Sequence, residues 1–396
     1  MALSLKKLKN FHGRKGPLLL IIMDGVGIGR NDASNAVYVA NTPTLDRLFA
    51  SKLYTQLQAH GAAVGLPSDE DMGNSEIGHN ALGAGRVFDQ GAKLVNKALA
   101  TGAMFQGEAW RAVMAKAAAG GTIHFIGLHS DGNVHSHTDQ LYAMLREAAK
   151  EGARRCRLHI LHDGRDVPAK SALQYIEATE KVLSEINAVH SGSDYRIASG
   201  GGRMVTTMDR YQADWRIVER GWKAHVLGEG RPFASAAQAV QAMYDEDAKA
   251  TDQYLDSFVI VEDGKPVGTI EDGDAVVFFN FRGDRAIEIT MAFEGGPEFD
   301  KFNRVRVPKV YYAGMMQYDG DLMLPKNFLV APPLIENTVC EYLVTEKMKM
   351  FAISETQKFG HVTYFWNGNR SGYIDPSLET YHEIPSDKIQ FDQAPK

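Results

Sequence analysis

Three kinds of side chain in this 396-residue sequence stand where chemistry could be done: a serine among glycines, arginines in short polar loops, and acids beside both. In Asp71-Met72-Gly73-Asn74-Ser75-Glu76-Ile77-Gly78-His79 the flanking glycines allow a tight turn and close access to the Ser75 hydroxyl. A helix starting there would aim backbone N–H groups at a phosphate. A serine hydroxyl ionises too reluctantly to attack unaided, so it needs a base or a metal ion. No G-x-S-x-G elbow surrounds it, which sets aside the common hydrolase arrangement. Ser75 could also cap the helix. Asp24 ends the apolar run Leu18–Met23 and precedes Gly25. Its carboxylate suits a metal ligand or a phosphate-site acid, and equally a turn-forming aspartate. The glycines that follow do not make the dinucleotide fingerprint G-x-G-x-x-G, because Arg30 stands where the last glycine is required. NAD is excluded on that ground.

Arginines recur in Gly164-Arg165-Asp166, Gly202-Arg203, Asp209-Arg210 and Arg282-Gly283-Asp284-Arg285. The planar guanidinium binds phosphate and carboxylate in bidentate fashion, whereas a solvated surface uses lysine as readily. Five such arginines predict a small, multiply anionic substrate. Asp166, beside Arg165, could act as general acid or base. Lys358 follows the apolar run Met350–Ile353 and reads as one more anion contact or as a surface lysine. The run from His129 to Asp139 holds three histidines and two aspartates; it could bind a metal by composition, but substrate contact or loop structure is the preferred reading.

These residues need a scaffold that gathers them. Five short apolar runs end abruptly in polar residues: Leu18–Met23, Thr122–Leu128, Cys156–Leu161, Arg196–Ser199 and Ala275–Phe281. Runs of this kind, alternating with helical segments, predict buried parallel strands in α/β units. Ligands collect beyond the carboxyl ends of such strands, where the unusual residues sit. Thr42-Pro43 predicts a helix start, and Ser136 or Thr138 a cap for the helical stretch that includes Leu141, Met144, Leu145 and Ala148.

Domain boundaries are expected near Arg86–Gln90 and at Ala331-Pro332-Pro333. They divide the chain into an arm (1–16), a first part of a host domain (17–87), an insert (90–331) and the host's continuation (334–396). The net charge of −6 and the lack of a sustained basic tract argue against nucleic acid. The two cysteines sit in no CxxC or CxxH spacing, and the early apolar run is far shorter than the ~20 residues a membrane helix needs. A cytoplasmic protein with no membrane partner is expected.

Taken together, Asp-Gly after the first run, Met-Gly-Asn-Ser-Glu-Ile-Gly-His, Ser-Asp-Gly-Asn-Val-His-Ser-His, Asp-Gly-Arg-Asp-Val, Met-Asp-Arg-Tyr, Asn-Phe-Arg-Gly-Asp-Arg-Ala and Ser-Glu-Thr-Gln-Lys-Phe-Gly-His-Val-Thr occur in order. This series strongly resembles the 2,3-bisphosphoglycerate-independent phosphoglycerate mutases, a branch of the alkaline-phosphatase superfamily. The resemblance runs from about residue 17 onward. It implies two α/β domains with mostly parallel sheets, an alkaline-phosphatase-like domain interrupted by an inserted transferase domain. It also implies interconversion of 3-phosphoglycerate and 2-phosphoglycerate through a phosphoserine, with no 2,3-bisphosphoglycerate. Carried onto this sequence, Ser75 is the nucleophile and shares a divalent ion with Asp24. His135, Arg165, Asp166, Arg203, Arg210, Arg282 and Arg285 hold the glycerate, Asp166 moves protons on its hydroxyls, and Lys358 contacts the phosphoryl group.

The resemblance further implies two divalent ions (manganese, with cobalt or magnesium as substitutes) and a monomer. The Asp-His-Gly-Asn motif that supplies further ligands in the family does not occur after Lys358, so a fragment of a longer protein is expected. The competing readings are another phosphomutase or phosphatase of the same superfamily, or an inactive sugar-phosphate-binding fragment.

Overall fold

The computed structural model describes all residues except 1–2, 12, 14, 25, 67, 70–72, 90, 211, 320–321 and 386–396. Gly25, the Asp71-Met72 pair, Gln90 and Tyr211, on which expectations fell, lie outside the described residues. The chain forms two compact units, one of residues 65–71 and 89–334, the other of Met1–Val64, Met72–Phe88 and Ile335–Lys396.

The larger unit is built on eight strands: β1 (Ile123–Leu128), β2 (Arg155–His162), β3 (Asp194–Gly202), β4 (Arg231–Phe233), β5 (Phe258–Glu262), β6 (Lys265–Pro266), β7 (Ala275–Phe278) and β8 (Tyr311–Gly314). Their order is β4-β5-β3-β2-β1-β7-β8, with β6 beside β5. The pairs β1–β2, β2–β3, β1–β7, β7–β8 and β4–β5 are parallel, while β5 runs antiparallel to β3 and to β6. The result is a mostly parallel α/β sheet. Residues alternate between its faces. Ile123 and Phe125 point into one core with Leu158, Ile160 and Val277, under helices that include Glu108–Ala118, Thr138–Lys150 and Ala172–Val189. Ile126 and Leu128 point into a second core with Leu161, Val276, Phe278, Val218 and Trp222.

Four of the five apolar runs are strands of this sheet. The chain passes from β1 outward through β2 to β3, and β7 then lies on the other side of β1. The strand order thus reverses beside β1, and ligands of doubly wound sheets bind beyond the carboxyl ends of the strands at such a point. Strand β3 ends in Gly200, Gly201 and Gly202, positions that have no room for a side chain. A Cβ at them would lie 2.5 Å from the Phe258 ring, 2.3 Å from Thr206 Oγ1 and 2.5 Å from the Gln253 backbone.

The smaller unit differs from the sequence expectation. Its one sheet among the described residues is the parallel pair β9 (Met350–Glu355) and β10 (Glu379–Ile384). The run Leu18–Met23 is not a strand, and Leu18 is 96% exposed. A strand exists only where a neighbour takes its backbone hydrogen bonds, and no described strand pairs with this run. Two caps also differ. Asn74, not Ser75, caps the helix Ser75–Ala84 by accepting from Ile77 N, and His137 caps Thr138–Lys150 by accepting from Asp139 N. Thr42 precedes the helix Pro43–Phe49 as expected, with its hydroxyl turned to the Asp46 carboxylate.

Candidate functional site

Two clusters gather the chemistry-bearing residues, one in each unit. In the smaller unit Ser75 is the first residue of its helix, which two glycines fix in place. A Cβ on Gly73 would lie 1.8 Å from Ala59 O, and one on Gly83 would lie 1.9 Å from Trp366 O. Only glycine allows these approaches. The Ser75 hydroxyl donates a short hydrogen bond to Asp24 Oδ2, and Lys358 Nζ sits 2.7 Å from the same oxygen. Burial works to raise the pKa of the Asp24 carboxyl, but the bonds from Lys358 and Ser75 and the lysine charge outweigh it and hold the value below the ordinary one. His79, one turn on, donates from Nδ1 to Ser75 O at 2.8 Å, which leaves Nε2 as the ring's acceptor. His361 packs edge-on against that ring, and burial with the Lys358 charge lowers its pKa to about 4.

In the larger unit the loops after β1, β2, β3 and β7 converge. Arg203 is buried, and Nη1 donates to Asp163 Oδ1 at 2.8 Å and to Asp166 Oδ2 at 2.6 Å. Its Nη2 lies 2.8 Å from His135 Nε2. Asp163 also accepts from the amides of Arg165 and Asp166 and from the Ser130 hydroxyl. Arg282 Nε stands 3.1 Å from Asp284 Oδ1, and Arg210 Nη1 stands 3.9 Å from Asp284 Oδ2. Arg285 donates to Met208 O at 2.5 Å.

The guanidinium groups are close enough to act on one another. Burial, then the charges of Arg203 and Arg210, bring Arg285 down to about 10, with Asp284 opposing and Arg165 adding. Burial and the charges of Arg203, Arg282, Arg285 and Arg210 hold His135 well below its ordinary value, so the ring is neutral. Such a positive, partly buried cradle is suited to an anion carrying phosphate and carboxylate.

All ten residues expected from the sequence fall into these two clusters: Asp24, Ser75 and Lys358 in one, and His135, Arg165, Asp166, Arg203, Arg210, Arg282 and Arg285 in the other. The sequence reading did not single out Asp163, Asp284 and His79. Asp163 carried a usable signal, since it is the first polar residue after β2 and opens the Asp-Gly-Arg-Asp turn. The rest of the run from His129 is largely loop structure: His129 Nε2 meets Thr179, Asp131 accepts from Tyr175, and Ser136 donates to Leu128 O.

The two ions implied by the resemblance can be tested against these groups. Asp24 and Ser75 offer two oxygens of the kind a hard divalent cation takes. Among the described residues no three His, Cys, Asp or Glu side chains are grouped to hold a metal, and the Lys358 ammonium already lies on Asp24. The described residues thus do not fit a complete two-ion centre.

Fold and clusters define an α/β enzyme with a supported serine and an arginine cradle. Residues 95–320 match the family model described as BPG-independent PGAM N-terminus. The 2,3-bisphosphoglycerate-independent phosphoglycerate mutase of Trypanosoma brucei brucei is 58% identical over 398 aligned positions, covering 100% of this chain and 71% of the relative. The probable enzyme of that name from Leptospira interrogans is 56% identical, covering 100% and 72%. A crystal structure of Leishmania mexicana phosphoglycerate mutase at low cobalt concentration matches with a TM-score of 0.84 and 55% identity, over 94% of this chain and 68% of that one. The chain belongs to the 2,3-bisphosphoglycerate-independent phosphoglycerate mutases, a family of isomerases. This membership favours the mutase over the competing phosphatase or inactive-fragment readings.

Proposed function

We propose that this chain interconverts 3-phosphoglycerate and 2-phosphoglycerate, a step of glycolysis and gluconeogenesis, by way of a phosphoserine on Ser75. Residues 17–87 and 334–396 form the phosphatase-like part that carries the serine, and 90–331 form the transferase insert that holds the glycerate. The observation that carries this reading is the Ser75 hydroxyl bonded to a carboxylate that Lys358 also holds. Asp24 accepts the hydroxyl hydrogen and aims the oxygen, and Lys358 offers positive charge to the phosphoryl oxygens. Phosphoryl transfer depends on such placement and charge neutralisation more than on covalent chemistry.

In the first half-reaction the phosphoryl group leaves a glycerate oxygen for Ser75 Oγ, the serine proton passes to Asp24, and the leaving oxygen takes a proton from Asp166. In the second, the other glycerate hydroxyl gives its proton to Asp166 and attacks the phosphoserine, and Asp24 returns its proton to Oγ, which regenerates the serine. Arg203 keeps Asp166 oriented, and Arg165, Arg210, Arg282 and Arg285 bind carboxylate and phosphate. A divalent ion (manganese, or cobalt or magnesium) would supply Lewis-acid charge neutralisation when bound, with Asp24 and Ser75 among its ligands. The proposed enzyme is a cytoplasmic monomer with small-molecule substrates and no nucleic-acid or membrane partner. No helix among the described residues is long and apolar enough to cross a membrane.

The decisive experiment is to incubate the chain with phosphoglycerate, quench, and map phosphate by peptide mass spectrometry. A phosphate on Ser75, absent in Ser75→Ala, supports the reading; turnover with an unmodified Ser75 overturns it.

A further inference from the structure

Six buried side chains outside the reaction above form an unbroken row of hydrogen bonds. Asp274 Oδ2 lies 3.1 Å from His124 Nε2, and His124 Nδ1 lies 2.9 Å from His159 Nε2. His159 Nδ1 is 2.7 Å from Ser199 Oγ, which is 2.7 Å from His225 Nδ1. His225 Nε2 is 2.9 Å from Thr207 Oγ1. The row starts at the residue just before β7, crosses the neighbouring strands β1, β2 and β3, and then reaches the π-helical turn Lys223–Leu227.

Its proton arrangement follows from the carboxylate at one end. Asp274 is ionised, because the bonds from His124 and from the Thr122 and Glu271 amides outweigh its burial, so it only accepts. His124 then donates from Nε2 and accepts at Nδ1 from His159 Nε2. His159 accepts at Nδ1 from Ser199, Ser199 accepts from His225 Nδ1, and His225 accepts at Nε2 from the Thr207 hydroxyl. Burial lowers the pKa of all three histidines, as three neutral rings require. Every bond points from Thr207 toward Asp274, and aligned bonds of this kind strengthen one another.

The far end of the row meets an unusual residue. Thr207 has φ +72°, a left-handed conformation that a β-branched side chain strongly disfavours, and it is fully buried. Gly221 makes room for it, since a Cβ there would lie 2.0 Å from Thr207 Oγ1. Directly after this kink, Met208 presents its carbonyl to Arg285, and Asp209-Arg210 follows.

We propose that the row is a positioning device for the arginine cradle, in which His225 pins the Thr207 hydroxyl and so holds the kink that sets Met208 O against Arg285 and launches Arg210. The proposal rests on the cradle binding phosphoglycerate, and His225 and Thr207 act only through the arginines. Thr207→Val keeps the shape and removes the hydroxyl; Thr207→Ser keeps the hydroxyl. His225→Gln retains an acceptor toward Thr207, whereas His225→Asn reaches only Ser199. Thr207→Val and His225→Asn should weaken 3-phosphoglycerate binding about tenfold, as an unmet buried hydrogen bond does. Both should also displace the amide resonances of residues 208–210, while Thr207→Ser and His225→Gln retain affinity even where their thermal midpoints fall. Nitrogen NMR should find the His225 proton on Nδ1. Unmoved 208–210 resonances in Thr207→Val, or a proton on His225 Nε2, overturns the proposal. If the unmodified chain binds no phosphoglycerate, the assigned activity fails, and the resonance comparison still decides whether His225 sets the kink.

Discussion

Arg203 Nη2 and His135 Nε2 stand 2.8 Å apart, and a guanidinium can only donate, so His135 carries its proton on Nδ1. That Nδ1–H faces Asp284 Oδ1 at 3.6 Å. One arginine thus sets the tautomer of a ring in the cradle while it also grips Asp163 and Asp166.

A lysine at this position keeps the charge and loses the fork. Arg203→Lys is expected to lower kcat/KM about 100-fold, the effect of losing roughly 3 kcal/mol of charge-assisted hydrogen bonding. Steady-state kinetics with phosphoglycerate checks it, and wild-type kinetics in the variant would remove Arg203 from the cradle's working parts.

Ser75→Ala should abolish turnover while leaving phosphoglycerate affinity largely intact, because the proposed glycerate contacts belong to the other cluster. Calorimetric titration beside a coupled assay separates the two effects. Retained turnover refutes the nucleophile assignment.

Turnover should need no added 2,3-bisphosphoglycerate and should be lost on exhaustive treatment with a chelator, then restored by manganese or cobalt. Activity that survives chelation would rule out the divalent ion.

Stability should fall in mild acid. Burial depresses His129 to about 3, His162 to about 4 and His225 to about 3, so all three are neutral in the folded chain. In the unfolded chain they protonate near the ordinary value of about 6.5. Protonation therefore favours unfolding: their stabilisation is complete above about pH 6.5 and is lost as pH falls toward about 4, by up to about 1.4 kcal/mol per histidine per pH unit. Urea unfolding at several pH values measures this, and a midpoint as high at pH 5 as at neutrality would contradict it.

Gly83→Ala should displace the helix that carries Ser75, since its Cβ would overlap Trp366 O. A loss of about 1–3 kcal/mol is expected, typical of overpacking. Denaturant midpoints provide the check, and a stable, fully active variant would show that the helix does not depend on this approach.

Much of this was legible in the sequence because strand ends in α/β units advertise themselves. The apolar runs 122–128 and 156–161 gave β1 and β2 nearly to the residue, and the polar groups after them hold the cradle. What could not be read was pairing. Leu18–Met23 has a strand's composition but no described partner, so composition alone misplaces it. Asp163 was hidden for another reason: its importance lies in the three loops it ties together, and those meet only after folding. Asn74 displaced Ser75 as the cap because its side chain reaches Ile77 N from one residue earlier, which leaves the serine oxygen to Asp24.

The three consecutive glycines that end β3 carry a genetic consequence. Every missense change at a glycine codon introduces a carbon branch, and at 200–202 each such branch would strike a ring, a hydroxyl or the main chain. This short stretch, leading straight into Arg203, is closed to gradual substitution, and variants that drift elsewhere in the sheet should keep it unchanged.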